Sequence, residues 1–452
     1  MALLESEIMI VKTLSRYLTL VLLAGFLLNL VSCREDKKMA KGVEALYLPN
    51  MDRVFENYDL LDSTKNYSDF AEQLVEANRD LRSSEMYVQA AMLYHQAGKS
   101  DEVAPLLNLA IDQGMANPKL LSKFPNLKPS ENSESWKRLK IRLDSLQQEV
   151  QELSHFDLEM ESMNRFWDYF EIAVADSAKA KTAFKEFIFD GPKELRDFYV
   201  VRYSSIDNMY GQMINAAPGY YRYLKHQFSP DSMNALKAQT KKWMSRFKQL
   251  YPQAVFPKVY VVPGILNSGG TATEMGLFIG GDMYGRSDNM PTEGLNDWQK
   301  GAIMKFSELP GLTIHELMHF QQSYRDTLNT NNVLRGVIEE GVCDFLLELS
   351  SQKPLKNKNL SYLEKPGKLE NIMNDLKQDL YTNDLSRWLY NGGAIEDRPH
   401  DLGYTVGYLI TKSYYNLQPD KKAAIYELLN TDDFTMIVEE SEYAYLLNQE
   451  SN

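Results

Sequence analysis

The segment Leu312–Arg325, "LTIHELMHFQQSYR", carries two of the chain's six histidines four residues apart, with a glutamate directly after the first. In a helix, residues i and i+4 share one face, so His315 and His319 would turn both imidazoles toward one point. Neutral imidazole is a common metal ligand, and Glu316 would project beside the ion, within reach of a bound water rather than of the metal. His315-Glu316-Leu317-Met318-His319 thus has the H-E-x-x-H pattern of zinc-dependent hydrolysis. A blander reading is a solvated helix that contains these letters by chance. Leu312, Ile314, Leu317, Met318 and Phe320 argue against it, because they make the helix mostly apolar, and a buried helix with two histidines and a glutamate needs a partner for them.

A catalytic zinc takes three protein ligands and leaves a fourth position for water. The stretch "VIEEGVCDFLLEL", residues 337–349, offers the third at Glu340, 21 residues past His319, with Glu339 beside it as the rival. At this point the chain resembles the gluzincin branch of zinc metallopeptidases. There a second helix carries the glutamate ligand, and in thermolysin-like members an aspartate four residues on bonds a histidine ligand. The resemblance places the ligand at Glu340 and the supporting carboxylate, turned on His315, at Asp344, since Glu339 has no aspartate at i+4. Cys343 reads as a buried inert thiol rather than a fourth ligand.

A closer resemblance covers about residues 240–445. "FPKVYVVPGILNSGGTATEMGLFIGGDM", "HELMHFQQ", "EEGVCDFLLEL" and "RPHDLGYTVGY" are together similar to a family of predicted zinc-dependent proteases among bacterial lipoproteins, some related to the gliding-motility lipoproteins of Bacteroidetes. The chain departs from it at Cys343, where a small alanine-like residue is usual, and at His400, where alanine is expected; neither removes a ligand. The resemblance implies Zn2+ held by His315, His319 and Glu340, with Glu316 as the base that takes the water's proton and passes it to the leaving amine. An oxyanion also needs a donor opposite the metal. By analogy with gluzincins it comes from "RPHDLGYTVGY", with Tyr404 preferred and Arg398, His400 and Tyr408 as other candidates. "GLFIGGDMYG" is expected to form the edge strand that pairs with an extended substrate.

Positioning these residues calls for an α+β, zincin-like domain over residues 155–452. "FPKVYVVPG" and "GLFIGGDMYG" read as short strands bounded by proline and glycine, ahead of the helical motif. Residues 51–154 read as helical. Within them "YVQAAMLYHQAGKSDEVAPLLNLAIDQGMANP" resembles one tetratricopeptide-type hairpin, with Ala91, Tyr94, Gly98, Leu107 and Ala110 near the positions that motif uses. Such a hairpin buries its faces by stacking, so either neighbouring helices complete a layer or the hairpin caps the next domain. As a docking element it is the candidate surface for a protein partner.

The N-terminus sets the location. "YLTLVLLAGFLLNLVS", residues 17–32 behind Lys12 and Arg16, has the charged-then-apolar layout of a secretory leader, and its 16 residues fall short of the roughly 20 a membrane span needs. It ends in Leu30-Val31-Ser32-Cys33, which resembles a bacterial lipobox. Residues 1–33 are therefore expected to be a signal peptide ending in a lipidated Cys33, and residues 34–50 a tether, which predicts lipid anchoring to a bacterial membrane in the cell envelope. Glu5 and Glu7 suit a leader poorly and point to Met9 as the start. With Cys33 modified, Cys343 has no disulfide partner. A chain of 452 residues, 44% hydrophobic and 25% charged, suits two folded units, and a net charge of -13 speaks against nucleic acid as a partner. The expected function is a membrane-anchored zinc metallopeptidase acting on a peptide or protein substrate. The alternative is a non-catalytic zincin-fold lipoprotein that serves as a scaffold in envelope, secretion or gliding machinery.

Overall fold

The computed structural model describes residues 42–127, 133–324, 332–391 and 398–447. The leader, Cys33 and residues 34–41 of the expected tether lie outside them. One compact unit spans Tyr47–Asn452, and residues 42–46, which fall in a separate unit, form the 3₁₀ turn Val43–Ala45. The last residues of the expected tether are therefore docked: the Tyr199 hydroxyl donates to the Pro49 carbonyl at 2.5 Å, and the Tyr47 N–H donates to Asp80 at 2.8 Å. Among the described residues, no helix is long and apolar enough to cross a membrane.

Helices dominate. Those of ten residues or more are α1 Tyr67–Ala77, α2 Ser84–Gln96, α3 Ser100–Asp112, α4 Glu134–Gln151, α5 Glu161–Ala175, α6 Ser177–Asp190, α7 Pro218–Gln227 and α8 Pro230–Leu250. After the sheet come α9 Leu309–His319, α10 Val333–Ser351, α11 Lys368–Asp379, α12 Leu402–Leu417 and α13 Lys421–Asn430. A small mixed sheet contains β1 Leu158–Glu159, β2 Val259–Val262, β3 Gly270–Ala272 and β4 Leu277–Gly280 in the order β1-β2-β4-β3. The pairs β1/β2 and β2/β4 are parallel, and β3 runs antiparallel to β4. The class is α+β, as the residue patterns imply.

The sheet corrects one expectation. β4, the core of "GLFIGGDMYG", is not the edge: it lies between β2 and β3, and all four of its residues are buried. β1 and β3 are the edges, and the one beside the motif helix is β3, which folds back through a turn in which the Thr273 N–H donates to the Gly276 carbonyl at 2.9 Å. Gly276 has φ +148, and a Cβ there would lie 2.4 Å from the Lys258 carbonyl oxygen, so the fold-back requires glycine.

The helical hairpin forms at α2 and α3. Gly98, at φ +73, makes the left-handed turn between them, and Ala91, Tyr94, Leu107 and Ala110 are buried. Its docking partner is a charge. The buried Asp197 carboxylate accepts hydrogen bonds from the Ser83 and Ser84 hydroxyls and the Ser84 N–H, at the positive end of α2. The hairpin thus caps the fold that follows it, inside one compact unit.

Two further features hold the region that positions the motif helix α9. Asp282, fully buried after β4, accepts from the N–H groups of Gly264 at 3.0 Å and of Leu266, fixing the loop between β2 and β3. Helices α10 and α12 touch backbone to backbone: a Cβ on Gly341 would lie 2.0 Å from the Gly407 carbonyl carbon, and one on Gly407 only 1.8 Å from the Val337 oxygen.

Two outcomes are expected. Gly407→Ala should cost about 1–3 kcal/mol in urea unfolding, as overpacking does, while Gly219→Ala, with no atom within 4 Å of its Cβ, should be near neutral. An unchanged midpoint for Gly407→Ala would refute the backbone contact. Burial pushes the Asp282 carboxyl up to about 6, so its stabilising contribution is full below the ordinary carboxylate range and lost as pH rises through about 6. Measured against Asp282→Asn, wild type should therefore lose roughly 2–3 kcal/mol of relative stability between pH 4 and pH 7.5.

Candidate metal centre

Helix α9 begins with Pro310 in its first turn, is buried at Leu309, Thr313, Ile314, Leu317 and Met318, and ends at His319. Burial on several sides fixes its rotation, and the i, i+4 spacing brings the His315 and His319 ring centroids to 5.2 Å. Helix α10, capped by Asn332, packs against it and presents Glu340, Cys343 and Asp344. One Glu340 oxygen, Oε2, lies 3.2 Å from His315 Nε2 and 3.3 Å from His319 Nε2. Glu339 points elsewhere and pairs with Arg335 at 2.6 Å, so Glu340 is the carboxylate that faces both histidines.

His315 Nδ1 donates to Asp344 Oδ1 at 2.8 Å, which fixes the tautomer and turns the Nε2 lone pair inward. Lone-pair atoms of two rings and a carboxylate that face one point repel unless protons or a cation lie between them. The titration directions express this. Burial disfavours the His315 cation, yet Asp344 and Glu340 hold it well above its ordinary value; His319 rises likewise, with burial opposing and Cys343 and Glu340 favouring. Glu340, despite burial, is held by the two histidines far below the usual carboxylate range.

The group is able to hold a metal ion: ligand atoms of His315, His319 and Cys343 all lie within 4.8 Å of one another. Cys343 is fully buried, as an inert thiol would be, yet its sulfur lies within reach of that ion. Two further groups therefore face the histidines, and they differ in charge. Glu340 is ionised, whereas burial pushes the Cys343 thiol up to about 11. The sulfur meets His319 at Nδ1, 3.5 Å away, where Gln322 Oε1 also lies at 3.0 Å, leaving Nε2 for the Glu340 side.

Glu316 points toward the sheet. A Cβ on Gly270 would come within 3.0 Å of its carboxyl carbon, so the edge strand passes directly beside it. Among the described residues no hydrogen bond or ion pair engages the Glu316 carboxylate. The Tyr404 ring lies 6.0 Å from the His315 ring, and burial together with the Glu340 carboxylate raises its pKa, so its phenol remains a proton donor.

The other tyrosine and arginine candidates are corrected. Arg398 donates to the Arg387 carbonyl at 2.7 Å and lies 4.4 Å over the Trp388 ring, bracing the chain before α12. Tyr408 bonds Glu348 and Lys412, eight residues along α10 from Glu340, about 12 Å at the helical rise. His400 makes no contact with the group among the described residues; its Nδ1 is buried without a partner there. Three site residues escaped the sequence reading. Tyr390 donates to Glu340 Oε1 at 2.6 Å from 50 positions away, with no local pattern to mark it. Gln322, at i+3 from His319, was marked only by that spacing, and Gly270 only by the Gly-Gly pair.

The chain matches no protein-family model, no curated protein and no solved structure. Its class rests on its own fold and site: a mostly helical α+β protein with a metal-capable group of two histidines and a cysteine beside an edge of a mixed sheet.

Asp344→Asn should lower metal affinity about 10- to 100-fold in a competition titration without unfolding the chain, because it loosens the orientation of His315. Glu339→Gln, altering a carboxylate already paired with Arg335, should leave affinity unchanged. Equal effects from the two would refute this assignment.

Proposed function

We propose that the chain is a zinc-dependent peptidase with a zincin-like domain, anchored to a bacterial membrane by lipid on Cys33. The observation that carries this reading is the convergence of His315 Nε2, His319 Nε2 and Glu340 Oε2, with Glu316 left unengaged beside edge strand β3. Two neutral imidazoles and a carboxylate suit zinc and leave one position open. When bound, zinc supplies a Lewis acid that polarises a substrate carbonyl and acidifies a water molecule.

The chain's own residues supply the rest. Asp344 holds the His315 tautomer. Glu316, without a hydrogen bond or ion pair among the described residues, takes a proton from the attacking water and returns it to the leaving amine. Tyr404, protonated and beside His315, donates to the oxyanion, while Tyr390, edge-on to Tyr404 at 6.3 Å, donates to Glu340 and holds that carboxylate in place. Among the described residues no strand pairs with the outer side of β3, so an extended peptide can add to the sheet there. The four sequence stretches quoted above support a place in the lipoprotein family of zinc-dependent proteases, and the leader that ends at Cys33 supports the anchor.

The test is Glu316→Gln. It should keep the metal bound while lowering turnover of a mixed fluorogenic peptide library by roughly 10²- to 10⁴-fold. Full turnover in that variant, or a well-folded wild type that takes up no metal, would sink the reading. A variant that also complements a deletion strain fully would leave the scaffold role.

A further inference from the structure

Arg202 belongs to a π-helical turn, Tyr199–Tyr203, a geometry that recurs at functional sites. Its Nε donates to Thr271 Oγ1 at 2.6 Å, and Thr271 is the middle residue of β3. The side chain is half-buried, yet its two terminal nitrogens make no hydrogen bond or ion pair among the described residues. Withdrawing a charge from water without a partner is costly, so such a group is poised for an anion. Burial pushes Arg202 down and the Glu316 carboxylate pulls it back up: the two charges sense each other without touching.

Side chains alternate along a strand. Gly270 faces Glu316, so Thr271 faces the other side of β3, and Arg202 is bonded there. A peptide added to the free edge alternates in the same way. With one of its residues over Glu316, the neighbouring residue turns toward Arg202. The carboxylates of Glu316, Glu340 and Asp344 make the rest of the site acidic, which leaves this guanidinium as the feature that could select a negative group. Its planar fork of N–H donors matches a carboxylate.

Building on the peptidase reading, we propose that Arg202 is the subsite for a substrate carboxylate one residue from the cleaved bond. The carboxylate comes from a free C-terminus or from an Asp or Glu side chain.

Fluorescence polarisation on the full chain, with and without a chelator, compares peptides matched in sequence: C-terminal acid against amide, and internal Glu against Gln. At least one acidic peptide should bind about 10- to 100-fold tighter than its neutral mate, the range of a charge-assisted hydrogen-bonded pair. The two pairs distinguish the two sources, and the chelated arm removes direct carboxylate–metal contact as the cause. The preference should vanish in Arg202→Met, persist in part in Arg202→Lys and turn toward Lys-bearing peptides in Arg202→Glu, so that one misfolded variant does not decide the matter. No binding, equal binding of the mates by wild type, or a preference that survives Arg202→Met overturns the subsite. Because binding is read without cleavage, an intact preference with no hydrolysis sinks the peptidase reading alone, and hydrolysis without the preference sinks the subsite alone.

Discussion

Helices α10 and α12 meet where neither has a side chain, and the site depends on that contact. Gly341 and Gly407 bring two backbones within a distance that any Cβ would block. Gly341 is adjacent to Glu340 in sequence, and Gly407 lies three residues from Tyr404, so the contact brings the Tyr404 phenol in beside the Glu340 and His315 pair. A wider helix pair would move Tyr404 away from His315. The conformational cost of glycine inside two helices, roughly 1 kcal/mol each, is offset by what the close approach assembles.

Charge is handled alike in three places. Asp197, Asp282 and Glu340 are buried carboxylates, each engaged by several groups: serine hydroxyls and an N–H donate to Asp197, two loop N–H groups to Asp282, and the Tyr390 hydroxyl to Glu340, whose other oxygen faces the two imidazoles. A buried anion with full hydrogen bonding orders whatever donates to it. Asp197 orders the hairpin, Asp282 orders the loop leading to β3, and Glu340 orders the two histidines. Glu316 is the contrast. It sits among these satisfied groups and, among the described residues, makes no hydrogen bond or ion pair of its own.

The helical layer has a consequence for reading the chain as separate parts. The hairpin resembles a docking repeat, yet its first turn is tied to Asp197 and the chain after α3 bonds the loop beside the sheet, through Asn117 and Lys123 to Glu274. The hairpin's first turn and the segment after it are thus tied into the fold that follows.

Residues close in sequence were legible from sequence alone, because helical periodicity fixes their relation. The i, i+4 pairs His315/His319 and Glu340/Asp344 and the hairpin around Gly98 are local statements, and the structure forms each of them. The apolar run of α9 likewise announced a buried helix. Which strand is the edge was not legible: "GLFIGGDMYG" has the stronger strand character, but position in a sheet follows from the chain folding back at Gly276, which places three weak residues outermost. Nor could spacing separate Tyr404 from Tyr408, since both lie on one helical face and only the offset of α12 along α10 decides which meets the histidines. Tyr390 and Arg202 reach the site from distant loops and turns, and their roles arise from contacts across the fold that no local periodicity encodes. The sequence by itself determined the chemistry on offer, and tertiary packing decided which of those groups share a space, because proximity between distant segments is a property of how helices and strands are laid against one another.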